Sequence, residues 1–250
     1  MSSQFIYGIK PIEEALAAEK TFDKIWVAEG QQENQLGALL QELAFRKIRW
    51  KAVPPQKLNN LAKGQNHQGI IASLSAIEFT SLDDIIQSAY DKGEDPLIIM
   101  LDGVSDVRNF GAIVRTAACA GAHGVVMPNH GGAAISPDSV KTSAGALLTM
   151  PVCKSDNTYK TIKTMQVQGL KVIGISEKTE TNIFDANDAF TGPCVLVMGD
   201  EEKGLSTDAW KACDGHAKIP LSDSGIESLN VSVAAGIAMF EAIKQRSNAK

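Results

Sequence analysis

Three segments of the chain place polar side chains where an apolar strand pattern gives way to a helix pattern. In parallel sheets such strand ends carry the ligand sites. The first segment, Asp106–Ala117, contains Asn109, Gly111 and Arg115. Asn109 is predicted to cap the helix, because an asparagine oxygen accepts hydrogen bonds from the open amides of the first turn. Taken alone, the segment is equally typical of a capped helix with a surface arginine.

The second segment joins an apolar strand to a loop that runs from Gly199 to Gly204, with acidic residues at positions 200–202. Its spacing partly matches a phosphate-binding loop. However, Leu205 stands where that loop needs its lysine, and three acids would repel phosphate. An acidic loop after a buried strand could instead hold a cationic or hydroxyl-bearing ligand. An acidic surface turn explains the same residues equally well.

The third segment, Ile219–Ala235, leads into the last helix pattern of the chain. Ser228 is predicted to cap that helix, and Asn230 is predicted to lie in its first turn. Apolar residues occupy more than one face of the helix, which indicates burial on two sides, with a second subunit as one candidate for the outer contact. A core helix with a polar cap would show the same pattern.

The elements around these segments predict an α/β fold. From Pro96 onward strands and helices alternate, which indicates a mostly parallel sheet with helices on both faces. Short strand and helix patterns in residues 1–75 predict a separate small α/β unit. Six acids and one lysine lie between Glu78 and Asp95, and they predict a solvated acidic linker over residues 76–95. Residues 96–250 would then form the second domain.

Composition restricts the classes of function. The chain has 250 residues and a formal charge of −5, so attraction to nucleic acid must be local. Residues 1–75 are mildly basic, with nine Lys or Arg against seven Asp or Glu. No apolar run has the length of a membrane span, and we expect a cytoplasmic protein that binds no membrane. The four cysteines and four histidines have no metal-site spacing, so no metal is expected.

Together, in this order, the three segments resemble the SpoU/TrmH branch of the SPOUT RNA methyltransferases. The pattern N-x-G-A-I-x-R-T-A is matched at Asn109–Ala117, V-x-G-x-E-x-x-G at Val197–Gly204, and I-P-L…E-S-L-N-V-S-V-A at Ile219–Ala234. Tyr7–Ile9 and His67–Ile70 are similar to the small N-terminal RNA-binding domain of this branch, which has a ribosomal-protein-like fold. The subgroup with the greatest similarity is the 23S rRNA guanosine 2′-O-methyltransferases.

The resemblance implies an RNA ribose 2′-O-methyltransferase that uses S-adenosylmethionine and no metal. It implies a C-terminal trefoil knot, which general topology rules would not predict, and a homodimer that binds RNA and not DNA. Residues 1–75 would bind the RNA substrate, and residues 96–250 would be the knotted catalytic domain. The residues expected to line the cofactor pocket are Gly199, Ile219, Leu221 and Leu229. The residues expected to act in catalysis are Asn109, Arg115, Glu201, Ser228 and Asn230.

Within this reaction, Arg115 is expected to contact the target ribose or its phosphate and to assist proton removal. The phosphate contact is the simpler role, because the pKa of arginine exceeds about 12. Glu201 is expected to hold Arg115 or the loop of the knot. Glu202 departs from the family, where many relatives have glycine, and this affects the expected shape of the loop.

Other functions are compatible with parts of the sequence. The chain could modify transfer RNA instead of ribosomal RNA, although the basic terminal extensions frequent in tRNA enzymes are absent from the sequence. It could also be a non-catalytic RNA-binding protein whose large domain has lost its activity. A nucleotide-cofactor oxidoreductase would need a glycine fingerprint after the first strand of the large domain, and residues 102–111 lack it.

Overall fold

The structure is a computed structural model that describes residues 5–30, 36–186, 189–223, 225 and 227–248. The chain divides into two compact units. The first comprises Met1–Glu78 with Ile135–Pro137, and the second comprises Phe79–Ala134 with Asp138–Lys250. Across the described residues, no helix combines the length and the apolar character that a bilayer span requires.

The first unit contains a four-stranded sheet in the order β1-β4-β2-β3. Strand β4 pairs antiparallel with both β1 and β2, and β3 runs parallel to β2. Helices α1 and α2 cover one face of the sheet, and α3 packs on the other. The elements are β1 (Phe5–Tyr7), α1 (Ile9–Ala17), β2 (Phe22–Ala28), α2 (Gly37–Phe45), β3 (Lys51–Val53), α3 (Pro55–Ala62) and β4 (Ile70–Leu74).

The second unit contains a six-stranded sheet in the order β10-β8-β9-β5-β6-β7, in which every pair of neighbouring strands is parallel. The two central strands are entirely buried, as their continuous apolar sequences require. The strands are β5 (Leu97–Asp102), β6 (Gly124–Pro128), β7 (Val152–Ser155), β8 (Lys171–Ile175), β9 (Cys194–Gly199) and β10 (Gly215–Ala217).

Helices cover both faces of this sheet. Residues of α4, α7 and α8 pack into one apolar cluster with strand side chains, whereas α5 and α9 contact each other and α9 contacts β9. The mostly parallel α/β fold predicted from the sequence is therefore confirmed. The helices are α4 (Leu82–Asp91), α5 (Val107–Cys119), α6 (Pro137–Thr142), α7 (Thr158–Val167), α8 (Thr207–Ala212) and α9 (Val231–Asn248).

The segment predicted as a solvated linker, residues 76–95, instead contains α4. Ser81 caps this helix by accepting a hydrogen bond from the Asp84 amide, and two acids in the first turn favour its positive end. Ile85 and Ile86 are buried in the core of the second unit. The acids are tolerated because they occupy the exposed side, so a high acidic content did not indicate an unfolded segment.

Two predicted helix starts are also wrong. Helix α5 begins at Val107 and is capped by Asp106, whose Oδ1 accepts from the amides of Arg108 and Asn109 at 2.8 and 2.9 Å. Helix α9 begins at Val231 rather than after a Ser228 cap. Asn109 therefore lies inside α5, and Asn230, expected in the first turn of α9, lies directly before that helix.

Candidate active site

A cleft of about 200 Å³ lies at the carboxyl ends of β8 and β9. It is bounded by the residues after β8, by the loop after β9 and by two stretches that precede α9. All four residues expected to contact the cofactor line this cleft: Gly199, Ile219, Leu221 and Leu229. Glu201 and Ser228, expected to act in catalysis, line it as well. The structure thus brings together residues that are up to 30 positions apart in the chain.

The loop after β9 forms a closed turn that only glycine at position 199 permits. A Cβ atom there would lie 2.3 Å from the carbonyl carbon of Gly204 and 2.5 Å from the amide nitrogen of Leu205. Asp200 and Gly204 exchange two backbone hydrogen bonds of 3.0 and 2.9 Å across this turn. The close backbone approach therefore fixes one wall of the cleft.

The side chain of Asp200 holds the same turn from inside. Its Oδ1 accepts hydrogen bonds from the backbone amides of Lys203 and Glu202, both at 3.0 Å. These two amides lower the pKa of Asp200, the bond from Lys203 having the larger effect. Glu202 takes part only through its backbone amide in this contact, and its side chain is exposed. A glutamate is therefore compatible with the turn, despite the departure from the family pattern.

The lining of the cleft combines acidic and apolar side chains. None of the described lining residues is a lysine, arginine or histidine. Five of them are acids: Glu177, Asp200, Glu201, Glu202 and Glu227. Exposed apolar side chains also line the cleft, with Leu221 41% and Leu229 36% accessible. A ligand that combines positive charge with an apolar ring matches this lining.

Three residues expected to act in catalysis form a hydrogen-bonded relay beside the cleft. Nδ2 of Asn109 donates to Oε1 of Glu201 at 2.6 Å, and Nδ2 of Asn230 donates to Oδ1 of Asn109 at 3.0 Å. Oδ1 of Asn230 accepts from the backbone amide of Ser232 at 3.0 Å. Because each amide group is engaged at both ends, the orientation of Asn109 and Asn230 is fixed. The relay joins α5, the loop after β9 and the start of α9.

Arg115 lies outside this arrangement. It is exposed on α5 and lines a second cleft together with Arg108 and Lys141. Glu201 was expected to hold Arg115 or the loop of the knot, and the contact described for its side chain is with Asn109. Its contact with Arg115 stays a prediction. The second cleft collects three cations and two acids, Asp106 and Asp138.

One residue that positions the site was missed in the sequence analysis. Asp102, at the end of β5, is only 7% exposed. Its carboxylate accepts hydrogen bonds from the amide of Ser206 at 2.6 Å and from the Ser206 hydroxyl at 3.1 Å. Ser206 in turn caps α8. Asp102 therefore ties the end of β5 to the far end of the loop after β9. An acid that directly follows five apolar residues was the available signal.

His67 and Gln68, similar to the family in sequence, hold a turn in the first unit. Nδ1 of His67 accepts from the amide of Gly69 at 3.1 Å, and Oε1 of Gln68 accepts from the amide of Ile9 at 3.1 Å. These contacts explain both residues without a ligand. Within the described part of the chain, no group of three potential metal-binding side chains is found.

Comparison with known proteins agrees with this geometry. The sequence model of the SpoU rRNA Methylase family matches residues 96–240, and that of RNA 2′-O ribose methyltransferase substrate binding matches residues 5–80. The chain belongs to the SpoU family. The SpoU match includes the three segments whose residues line the cleft or form the relay. The substrate-binding match covers the first unit almost completely.

A curated relative matches the chain over its full length, and solved structures share its fold. The chain is 35% identical, over 100% of both sequences, to the 23S rRNA (guanosine-2′-O-)-methyltransferase RlmB of Vibrio parahaemolyticus. The structure of the SpoU methyltransferase AviRb from Streptomyces viridochromogenes, in complex with AdoMet, covers 98% of this chain and 90% of its own, at 24% identity and a TM-score of 0.62. The TrmH/SpoU tRNA modifying enzyme of A. aeolicus covers 62% and 78%, at 30% identity and a TM-score of 0.56.

Proposed function

We propose that this chain transfers a methyl group from S-adenosylmethionine to a ribose 2′-hydroxyl of RNA, at a guanosine of 23S ribosomal RNA. The observation that carries the proposal is the relay of Asn109, Glu201 and Asn230 at the edge of a cleft lined by the four expected cofactor residues. The SpoU family match and the similarity to a 23S rRNA enzyme over the full chain support the same reaction.

The cleft fits S-adenosylmethionine in its chemistry. When bound, this cofactor supplies an activated methyl group on a positively charged sulfur. Ile219, Leu221 and Leu229 provide apolar surface for the adenine, and Glu201 is one of five acids that offset positive charge. The missing side chain of Gly199 lets the backbone of Gly204 and Leu205 approach closely beside the cleft. These four cofactor contacts remain predictions.

The residues of the chain would act by positioning. A ribose hydroxyl attacks only when it is aligned with the methyl group, and alignment can supply a large part of the rate. Asn109 and Asn230 orient the hydroxyl, and Glu201 fixes Asn109 through the charge-assisted bond between them. Ser228, exposed at the cleft, provides a further hydroxyl contact. Arg115 binds the phosphate or ribose of the target nucleotide, and the proton leaves by a route that needs no neutral arginine.

Further parts of the proposal concern assembly. We propose a homodimer, because α9 leaves Val233 50% and Phe240 52% exposed, and a second copy could cover these side chains. The dimer would also add the partner's copy of the second cleft to the RNA surface.

We further propose that the segment after β10 forms the trefoil knot of the family. Residues 1–75 would bind the RNA, as the substrate-binding match over residues 5–80 supports. Methylation of ribosomal RNA would take place in the cytoplasm.

Methyl transfer can be tested directly with purified full-length chain, labelled S-adenosylmethionine and three substrates. These are a 23S rRNA transcript, a mixture of tRNAs and a DNA oligonucleotide. We expect label in 23S rRNA, with a 2′-O-methylguanosine on mapping, and none in DNA because DNA lacks the hydroxyl. Label in tRNA alone would favour the tRNA alternative, which the similarity to a tRNA modifying enzyme keeps open. Failure to bind S-adenosylmethionine would contradict the proposal and favour a non-catalytic RNA-binding protein.

A further inference from the structure

Three aromatic side chains lie together on the face of the four-stranded sheet that carries α3. Phe5 and Tyr7 alternate along β1, and Trp26 lies on β2. The ring centroids of Phe5 and Tyr7 are 6.3 Å apart, and those of Phe5 and Trp26 are 6.0 Å apart, with planes inclined by 25° and 31°. All three side chains are partly exposed. The rings pack in part against the apolar cluster that includes Leu58 and Ala62 of α3, and we call the surface that they leave exposed the aromatic face.

Strand register places two lysines in the same rows as these rings. Tyr7 pairs with Ile71, Ile71 pairs with Trp26, and Trp26 pairs with Lys51, so one row of side chains crosses all four strands. The next row contains Phe5, Ser73 and Lys24. With strands about 4.8 Å apart, the four-strand row spans about 14 Å. The rings and the two lysines therefore belong to the same face of the sheet.

The charge of the first unit differs between its two faces. The aromatic face and α3 carry Lys24, Lys51 and Lys57, and none of the described residues on them is an acid. The opposite face is covered by α1 and α2, which carry Glu13, Glu14 and Glu42. The chain as a whole has a charge of −5. The aromatic face and α3 therefore carry a local positive charge, whereas the acids of α1 and α2 stand beside the cation Lys10.

We propose that the aromatic face binds unpaired bases of the RNA substrate. This inference rests on the proposed function and names the surface that it would use. Bases that are not paired present flat π-faces, which stack on aromatic side chains whatever their sequence. Lys24 and Lys51, one row apart, provide cations for the phosphates on either side of a stacked base. Single-stranded or looped RNA is bound in this way, whereas duplex RNA keeps its bases inside.

The test compares two lysine pairs that change the net charge equally. Lys24→Gln with Lys51→Gln alters the aromatic face. Lys10→Gln with Lys47→Gln alters two exposed lysines on the side of α1 and α2. Binding of a fluorescent 12-nucleotide single-stranded RNA to the full-length chain is measured at several salt concentrations. Each lysine that contacts phosphate contributes about 0.7 to the slope of log affinity against log salt. We expect the slope to fall by about 1.4 for the first pair and to stay unchanged for the second.

Stacking is tested separately with Trp26→Ala, against Phe45→Ala as the matched control. The Phe45 side chain is 84% exposed on α2. Loss of one stacking platform is expected to weaken binding of the single strand about ten-fold, with duplex RNA affected much less. Should Trp26→Ala unfold the unit, which its circular dichroism would reveal, the lysine pairs still decide the question. Equal slopes for both lysine pairs would overturn the inference.

The same proteins separate this inference from the proposed function. Calorimetry with S-adenosylmethionine should give the same affinity for wild type and both lysine pairs, because none of these lysines lines the cofactor cleft. If the wild type transfers methyl groups and the two pairs have equal salt slopes, only the aromatic face is refuted. If the wild type transfers none while the slopes differ as expected, the proposed reaction fails and the RNA surface stands.

Discussion

Replacement of Gly199 by alanine tests whether the turn after β9 shapes the cofactor cleft. The added Cβ would lie 2.3 Å from the carbonyl carbon of Gly204, more than 1 Å closer than ordinary carbon contacts of about 3.5 Å. The neighbouring atoms belong to the backbone, so no change of rotamer relieves the overlap. The turn must open, and the two hydrogen bonds between Asp200 and Gly204 must lengthen or break.

The expected loss follows from these contacts. Overpacking costs about 1–3 kcal/mol, and each backbone hydrogen bond contributes about 0.5–1.5 kcal/mol net, so the free energy of unfolding should fall by roughly 2–6 kcal/mol. For a domain of this size even the lower value lowers Tm by at least about 4 °C. Because the turn is a wall of the cleft, affinity for S-adenosylmethionine should fall at least about ten-fold, which corresponds to about 1.4 kcal/mol.

Thermal unfolding and calorimetric titration with S-adenosylmethionine measure the two effects. Gly192→Ala is the matched control, since a Cβ at Gly192 meets no atom within 4 Å. We expect that control to keep both the Tm and the affinity of the wild type. If Gly199→Ala behaved like Gly192→Ala in both measurements, the turn would not shape the cleft and the assignment of its lining residues would be refuted.

Three further predictions concern the polar groups of the site. Asn109→Ala should lower methyl transfer about 100-fold with little change in cofactor affinity, because misplacement of about 1 Å has that cost; equal loss of both would assign Asn109 to cofactor binding. Arg115→Ala should reduce transfer, and Arg115→Lys should restore part of it if a positive charge on phosphate is what matters; full activity of Arg115→Ala would remove that role. The lowered pKa of Asp200 stabilises the folded chain above the ordinary value of 3.8, and this contribution disappears as pH falls through the lowered pKa. Asp200→Asn should therefore be less stable than wild type at pH 7, with the difference shrinking towards pH 3; a constant difference in denaturation experiments would contradict the electrostatic cause.

Much of the second unit could be predicted from local patterns. Strands β5 and β9 are continuous apolar runs, and such runs need burial on both sides. The prediction failed where two interpretations of the same residues compete. Residues 82–91 contain acids that suggested a linker, yet Ile85, Ile86 and Ala89 lie at helical spacing and are buried together. The apolar face is short, and tertiary packing rather than composition decides the outcome.

The polar residues of the site show a different limit. Family patterns identified Asn109, Glu201 and Asn230, but not their partners. Asn109 was expected to cap α5, whereas Asp106 takes that role three residues earlier and leaves Asn109 free to bind Glu201. These two residues are 92 positions apart. No local periodicity relates them, because their contact depends on the parallel pairing that places the ends of β5 and β9 side by side.

The distribution of charge explains how an acidic chain could bind both a cationic cofactor and an anionic polymer. Acids lining the cofactor cleft favour a sulfonium group but repel phosphate, so attraction of RNA must come from other surfaces. Two candidates are described: the cleft of Arg108, Arg115 and Lys141 on the second unit, and the aromatic face on the first. If RNA contacts both, substitutions on the two surfaces should reduce the salt dependence of binding additively, while cofactor affinity stays constant. Separate surfaces for the two ligands are what allow opposite charges to serve one reaction.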